Sequence, residues 1–168
     1  MSGAASSSFH PVGRKLAEGH VALGTWVFSS DPAGIEMIAR AGFDFVAVDM
    51  EHTALDWLIV ENHVRIASLL GMSAFVRIAA PTPDAIGRAL DLGAHGVCLP
   101  RLTREVAAAS ASSFRFPPAG TRGVCTATRA SSTYASFEAF AAASDAGAWC
   151  IGLVEDVGSA GDVAGMLE

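Results

Sequence analysis

One lysine and three widely separated cysteines in 168 residues set the first limits on this chain. The lysine, Lys15, precedes the first predicted strand, so a covalent imine route through a buried amine is excluded. Cys98, Cys125 and Cys150 are odd in number and form no CxxC knuckle, which excludes a disulfide ladder and a cysteine metal knuckle and suits a reducing, cytoplasmic setting. Basic clusters are missing too, and with a net charge of −6 this excludes nucleic acid and anionic membranes as partners. No apolar run approaches the roughly 20 residues of a transmembrane helix, and the opening residues lack the apolar centre of a signal peptide. Neither a Gly-x-Gly-x-x-Gly turn nor a GK[ST] phosphate loop occurs, so both nucleotide fingerprints of an open α/β sheet are absent. What is present is apolar: 51% of the residues are hydrophobic, enough for one well-buried core. A single domain over 13–168 is expected, behind a disordered Ser-rich tail over 1–12.

A strand–helix unit recurs along that domain. Residues 21–27 read as a first strand, and Asp31-Pro32 offers a cap and a first-turn proline for the helix that Gly42 closes. Residues 45–48 run Phe-Val-Ala-Val without polar alternation, as a strand buried on both faces of a parallel sheet does. A helix over 55–70 ends at Gly71, a strand follows over 74–78, and Thr82-Pro83 opens a helix that Gly93 ends. Residues 96–99 form a fourth strand, Thr103 starts an alanine-rich helix, and 114–124 is a long loop containing Gly and Pro. A helix near 137–143, a fifth strand over 148–154 and the start of a helix over 159–167 complete the chain. This alternation implies parallel crossovers. The missing nucleotide fingerprints, and polar residues at the ends of several strands, favour a (β/α)8 barrel over an open sheet.

Chemistry is expected at those strand ends, because the ligand crevice of a parallel α/β fold lies beyond the carboxyl ends of its strands. Asp49, Glu51 and His52 follow the second strand directly; Asp49 could also cap the next helix and His52 could be a solvated loop residue. His52 is a candidate general base, since an imidazole titrates near working pH and a carboxylate neighbour raises its basicity. Arg77 ends an apolar strand, where a guanidinium requires an anion: a bound carboxylate, or Asp49 or Glu51 internally. Trp26, in the first strand, joins Arg77 as a candidate substrate contact. Glu155, past the fifth strand, is either a hard-metal ligand or a favourable charge at the start of the last helix. Asp91 falls in the last turn of its helix, where the dipole disfavours an anion, so a cation or imidazole should compensate it. Within one barrel that position is far from His52, so a contact between them would cross a subunit boundary.

The run from Gly42-Phe43-Asp44 to Asp49-x-Glu51-His52, the strand end Val76-Arg77, the segment Ala89-Leu90-Asp91-Leu92-Gly93-Ala94, and Arg115-Phe116-Pro117-Pro118-Ala119-Gly120-Thr121-Arg122-Gly123 resemble the HpcH/HpaI class II aldolases over 13–168. The resemblance implies a TIM barrel that binds Mg²⁺, Mn²⁺ or Co²⁺ and cleaves 4-hydroxy-2-oxo acids to pyruvate and an aldehyde. It implies His52 as catalytic base, Asp91 raising its basicity, Arg77 stabilising the transition state and Glu155 as a metal ligand. A closed barrel takes about 250 residues. Five strands are read here, so the expectation is a barrel truncated after about five βα units, with a second metal-binding aspartate of the family beyond a sixth strand. Implied partners are the 2-oxo acid, a second copy in a homo-oligomer, and a chain supplying the missing strands, since an open sheet edge favours association. The alternative is a non-catalytic barrel remnant or split-barrel subunit that binds a partner chain or a small oxo acid.

Overall fold

Five short strands, the middle three buried and the two at the edges partly exposed, line up in chain order in one parallel sheet: β1 (Gly24–Val27), β2 (Phe45–Asp49), β3 (Ser73–Arg77), β4 (Gly96–Leu99) and β5 (Trp149–Gly152). The computed structural model describes residues 10–166. Helices α1 (Pro11–Ala17), α2 (Ala33–Arg40), α3 (Trp57–Leu69), α4 (Pro83–Asp91), α5 (Arg104–Ala111) and α6 (Phe137–Gly147) alternate with the strands, and two short helices, α7 (Val157–Gly161) and α8 (Val163–Met166), come last. The order β1-β2-β3-β4-β5 is that of consecutive barrel staves, with β1 and β5 at the two edges.

The helix boundaries follow the expected devices. Thr82 Oγ1 accepts the Ala85 N–H at 3.2 Å; α3 begins with a cap that the sequence reading did not single out, Asp56 Oδ1 accepting the Ile59 N–H at 2.9 Å. Gly42 (φ 86°) and Gly93 (φ 94°) take the left-handed conformation that stops α2 and α4. With a side-chain period of two, the sheet divides its apolar residues between two faces. Val46, Val48, Ala74, Val76, Val97 and Leu99 pack with Ile35, Val60, Val64 and Ile86 from the helices. Ala47, Phe75 and Cys98 lie on the opposite, concave face with Phe45, Trp149 and Ile151. The Phe75 and Trp149 rings stack there at 5.7 Å. That face borders a cavity of about 450 Å³ whose lining includes Trp26, Phe45, Phe75 and Trp149.

Several boundaries differ from expectation. β1 begins at Gly24 rather than at residue 21: Val21 is 84% exposed, and the Leu23 N–H is taken by the Asp44 carboxylate at 2.7 Å. β5 is shorter than 148–154. The expected tail over 1–12 fails at its last three residues, because His10 is buried and caps α1, its Nδ1 accepting the Gly13 N–H at 3.1 Å. Residues 1–9 lie outside the described residues. The last helix, expected over 159–167, is interrupted at Asp162, and residue 167 falls outside the description.

Candidate active site

The β2–β3 register sets Asp49 beside Arg77, the last residues of their strands. Both are buried. The guanidinium donates from Nε to Asp49 Oδ1 at 3.0 Å and from Nη2 to Asp49 Oδ2, a bidentate pair that matches a planar fork to a planar carboxylate. Asp49 Oδ1 also accepts the N–H groups of Glu51 at 2.8 Å and His52 at 3.2 Å, which closes the turn after β2. Burial by itself would raise the Asp49 carboxyl, but the Arg77 donors and the His52 and Glu51 N–H groups outweigh it and hold the carboxyl below its ordinary range. The Asp49 hydrogen bonds in turn raise Arg77 above its ordinary value. Of the two anions expected for Arg77, the structure supplies the internal one. The Trp26 ring covers the guanidinium, its centroid 4.6 Å from Cζ.

Glu51 is the hub of the cluster. Its side chain is 7% exposed, and Oε2 lies 3.7 Å from both Arg77 Nε and His52 Nε2 without a hydrogen bond of its own. Its other oxygen lies 3.4 Å from Arg101 Nη1. The Arg101 backbone N–H donates to Glu155 Oε2 at 2.7 Å. His52, Arg77, Glu51 and Glu155 therefore gather at one carboxyl rim, with Arg77 and the Glu51 side chain buried and His52 and Glu155 exposed. Arg101 escaped the sequence reading. Its signal was the one that drew attention to Glu155, a charged residue just past a strand.

Asp91 stands elsewhere. It closes α4, which leads into β4, so it lies toward the opposite end of the sheet from the rim. The compensating cation is Arg122, whose Nη2 donates to Asp91 Oδ1 at 2.7 Å while Nη1 donates to Ser144 Oγ at 3.0 Å. The Phe116 ring packs 4.4 Å from the same guanidinium. Within one chain Asp91 and His52 are not brought together.

A divalent cation with oxygen ligands takes about six donors. Among the described residues no group of three His, Cys, Asp or Glu side chains comes together as a metal cluster. Glu155 offers a carboxylate already holding the Arg101 N–H, and Glu51 one uncommitted oxygen. The donors are hard, as Mg²⁺ or Mn²⁺ requires, but these residues alone do not complete a site.

Parallel βα units in chain order, with charged side chains collected at the carboxyl ends of the strands, are the arrangement of a (β/α)8 barrel. The HpcH/HpaI aldolase/citrate lyase family profile matches residues 22–151, and the chain belongs to that family. It is 38% identical over 110 residues to 2-dehydro-3,6-dideoxy-6-sulfogluconate aldolase of Pseudomonas putida, covering 65% of this chain and 43% of that protein. It is 36% identical over 118 residues to a pyruvate aldolase of Rhizobium etli, covering 70% of this chain and 46% of that protein. The crystal structure of an HpcH/HpaI aldolase from Desulfitobacterium hafniense superposes with a TM-score of 0.84 at 25% identity, over 92% of this chain and 60% of that one. The chain thus spans less than half the length of those two curated relatives and about three fifths of the solved one.

Proposed function

We propose that the rim cluster binds a small 2-oxo acid and serves the cleavage of 4-hydroxy-2-oxo acids to pyruvate and an aldehyde. The observation that carries this reading is that His52 and Arg77 both lie 3.7 Å from one buried carboxylate oxygen, that of Glu51. Breaking the C3–C4 bond leaves an electron pair on C3 that spreads onto the 2-oxo oxygen as an enolate. Fixed positive charge beside that oxygen lowers the barrier, because a preorganised cation needs no solvent rearrangement. Arg77 supplies it: Asp49 holds Nε and Nη2, leaving Nη1 as the donor not committed to a carboxylate. His52 takes the proton from the C4 hydroxyl, its Nε2 lying 3.7 Å from Glu51 Oε2. Trp26 gives the substrate an apolar wall.

Asp91 can raise the basicity of His52 only from a second copy, and in that role it would share its charge with Arg122. Class II aldolases generally use a divalent metal as Lewis acid; Glu155 would give Mg²⁺, Mn²⁺ or Co²⁺ one ligand, and further oxygens would come from outside the described residues. The short donor set favours a second reading, a barrel portion without turnover of its own that binds an oxo acid or a partner chain. Calorimetric titration of pyruvate into the chain tests the binding claim. Saturable binding is expected, weakened about tenfold in R77K, which keeps the charge and loses the fork. A folded chain that binds no pyruvate would overturn the proposal.

A further inference from the structure

Arg101 is the one non-glycine residue among those described with a positive φ, 46°. A side chain in that region is strained and persists only where surrounding contacts enforce it. The contacts here are specific. The Leu102 N–H donates to the Leu153 carbonyl at 2.9 Å, continuing the β4–β5 pairing, and the Leu102 side chain fills the space where a Cβ on Gly152 would stand, 2.1 Å from Cδ2. Between the end of β4 and Leu102 the chain turns, and Arg101 is the residue that turns it.

The conformation has a geometric consequence. With φ near −60° the N–H and the Cα–Cβ bond of a residue point to the same side, whereas a positive φ swings the N–H away from Cβ. Backbone and side chain of one residue can then address two different neighbours. At Arg101 the N–H reaches Glu155 Oε2 at 2.7 Å, past β5, and the guanidinium reaches Glu51 Oε1 at 3.4 Å, past β2. The Glu51 side chain is 7% exposed, with Oε2 facing Arg77 Nε and His52 Nε2 at 3.7 Å and Oε1 facing the Arg101 guanidinium, so the carboxylate is held between the rim cations on one side and Arg101 on the other.

We propose that Arg101 is a positioning residue: its backbone N–H orients Glu155 and its guanidinium orients Glu51, and through Glu51 it sets the placement of Arg77 and His52 toward a bound oxo acid. The inference rests on the oxo-acid reading above. It assigns a role to a residue with no part in the chemistry, and it explains why strain is kept at a position where glycine would relieve it.

The test compares the full chain with R101Q, R101K and R101G by thermal melting, by pyruvate calorimetry and by the NMR signals of the His52 imidazole. R101G keeps the N–H and removes the strain together with the guanidinium, so it guards against a misfolded R101Q. Both R101Q and R101G are expected to melt at or near the wild-type temperature, to shift the His52 signals and to bind pyruvate about tenfold more weakly, the scale on which small misplacements act. R101K, which keeps the charge beside Glu51, is expected to bind within threefold of wild type, in keeping with a single ion pair at 3.4 Å rather than a bidentate fork. Unchanged pyruvate affinity and His52 signals in R101Q and R101G would overturn the assignment and leave Arg101 a turn residue, with the oxo-acid reading intact. Wild-type chain that binds no pyruvate would overturn both.

Discussion

At the scale of single residues, the centre of this molecule is an ion pair that water scarcely reaches. Removing one partner of such a pair strands the other charge in the interior, so D49N is expected to lose about 3–5 kcal/mol of stability in urea unfolding. A neutral replacement of both partners, D49N with R77M, removes the stranded charge and is expected to recover part of that loss. The same logic separates Asp49 from His52. The imidazole is 63% exposed and makes no contact closer than 3.7 Å to Glu51, so H52Q should leave stability within about 0.5 kcal/mol of wild type. Asp49 and Arg77 were both visible in the sequence as strand-end charges, yet their partnership was only one of two options. Nothing along a single strand reveals the inter-strand register, and it is the pairing of residue 49 with residue 77 that decides between an internal anion and a bound one.

At the scale of elements, what was legible was whatever depends on local chemistry. Thr82-Pro83 and the stop glycines marked helix ends because caps and left-handed turns need particular side chains. What escaped was α1, where Pro11 sits at the first turn but the cap is a histidine, outside the usual Ser, Thr, Asp and Asn set. That helix carries a titration. His10 and His95 lie with rings 5.5 Å apart, and burial lowers each from 6.5 to about 4. Because the folded values lie below the unfolded ones, both groups stay neutral in the native state while the unfolded chain takes up protons below about pH 6.5. Their contribution is intact above that pH and falls away toward pH 4. Asp44 and Asp49, whose carboxyls are depressed, act in a different window, below the ordinary 3.8. Urea midpoints at pH 7 and 4.5 are expected to differ less in H10N, which keeps a capping side chain without the titration, than in wild type. Strand packing makes a separate prediction: a Cβ on Gly96 would stand 2.5 Å from the Trp149 carbonyl oxygen, so G96A should cost about 1–3 kcal/mol by forcing β4 and β5 apart.

At the scale of the whole molecule, the five staves leave β1 and β5 as edges and a concave aromatic face beside a cavity of about 450 Å³. Unpaired strand edges recruit other strands. At the rim Glu155 is the candidate metal ligand, and among the described residues no group of three His, Cys, Asp or Glu side chains gathers there. The chain corresponds to 60% of a solved relative. The recurring βα rhythm was readable because each unit repeats the same punctuation, whereas a coordination sphere built from distant strands has no local signature. With one candidate metal ligand at the rim, residues 1–168 by themselves are predicted to release little pyruvate from a 4-hydroxy-2-oxo acid. The most direct test joins three further βα units of a relative to these residues and measures pyruvate release with and without Mn²⁺. Metal-dependent release is predicted, falling at least about a hundredfold in H52Q, the usual scale for a lost general base. A folded, completed barrel that releases no pyruvate, or one whose H52Q variant is as active as wild type, would contradict the account.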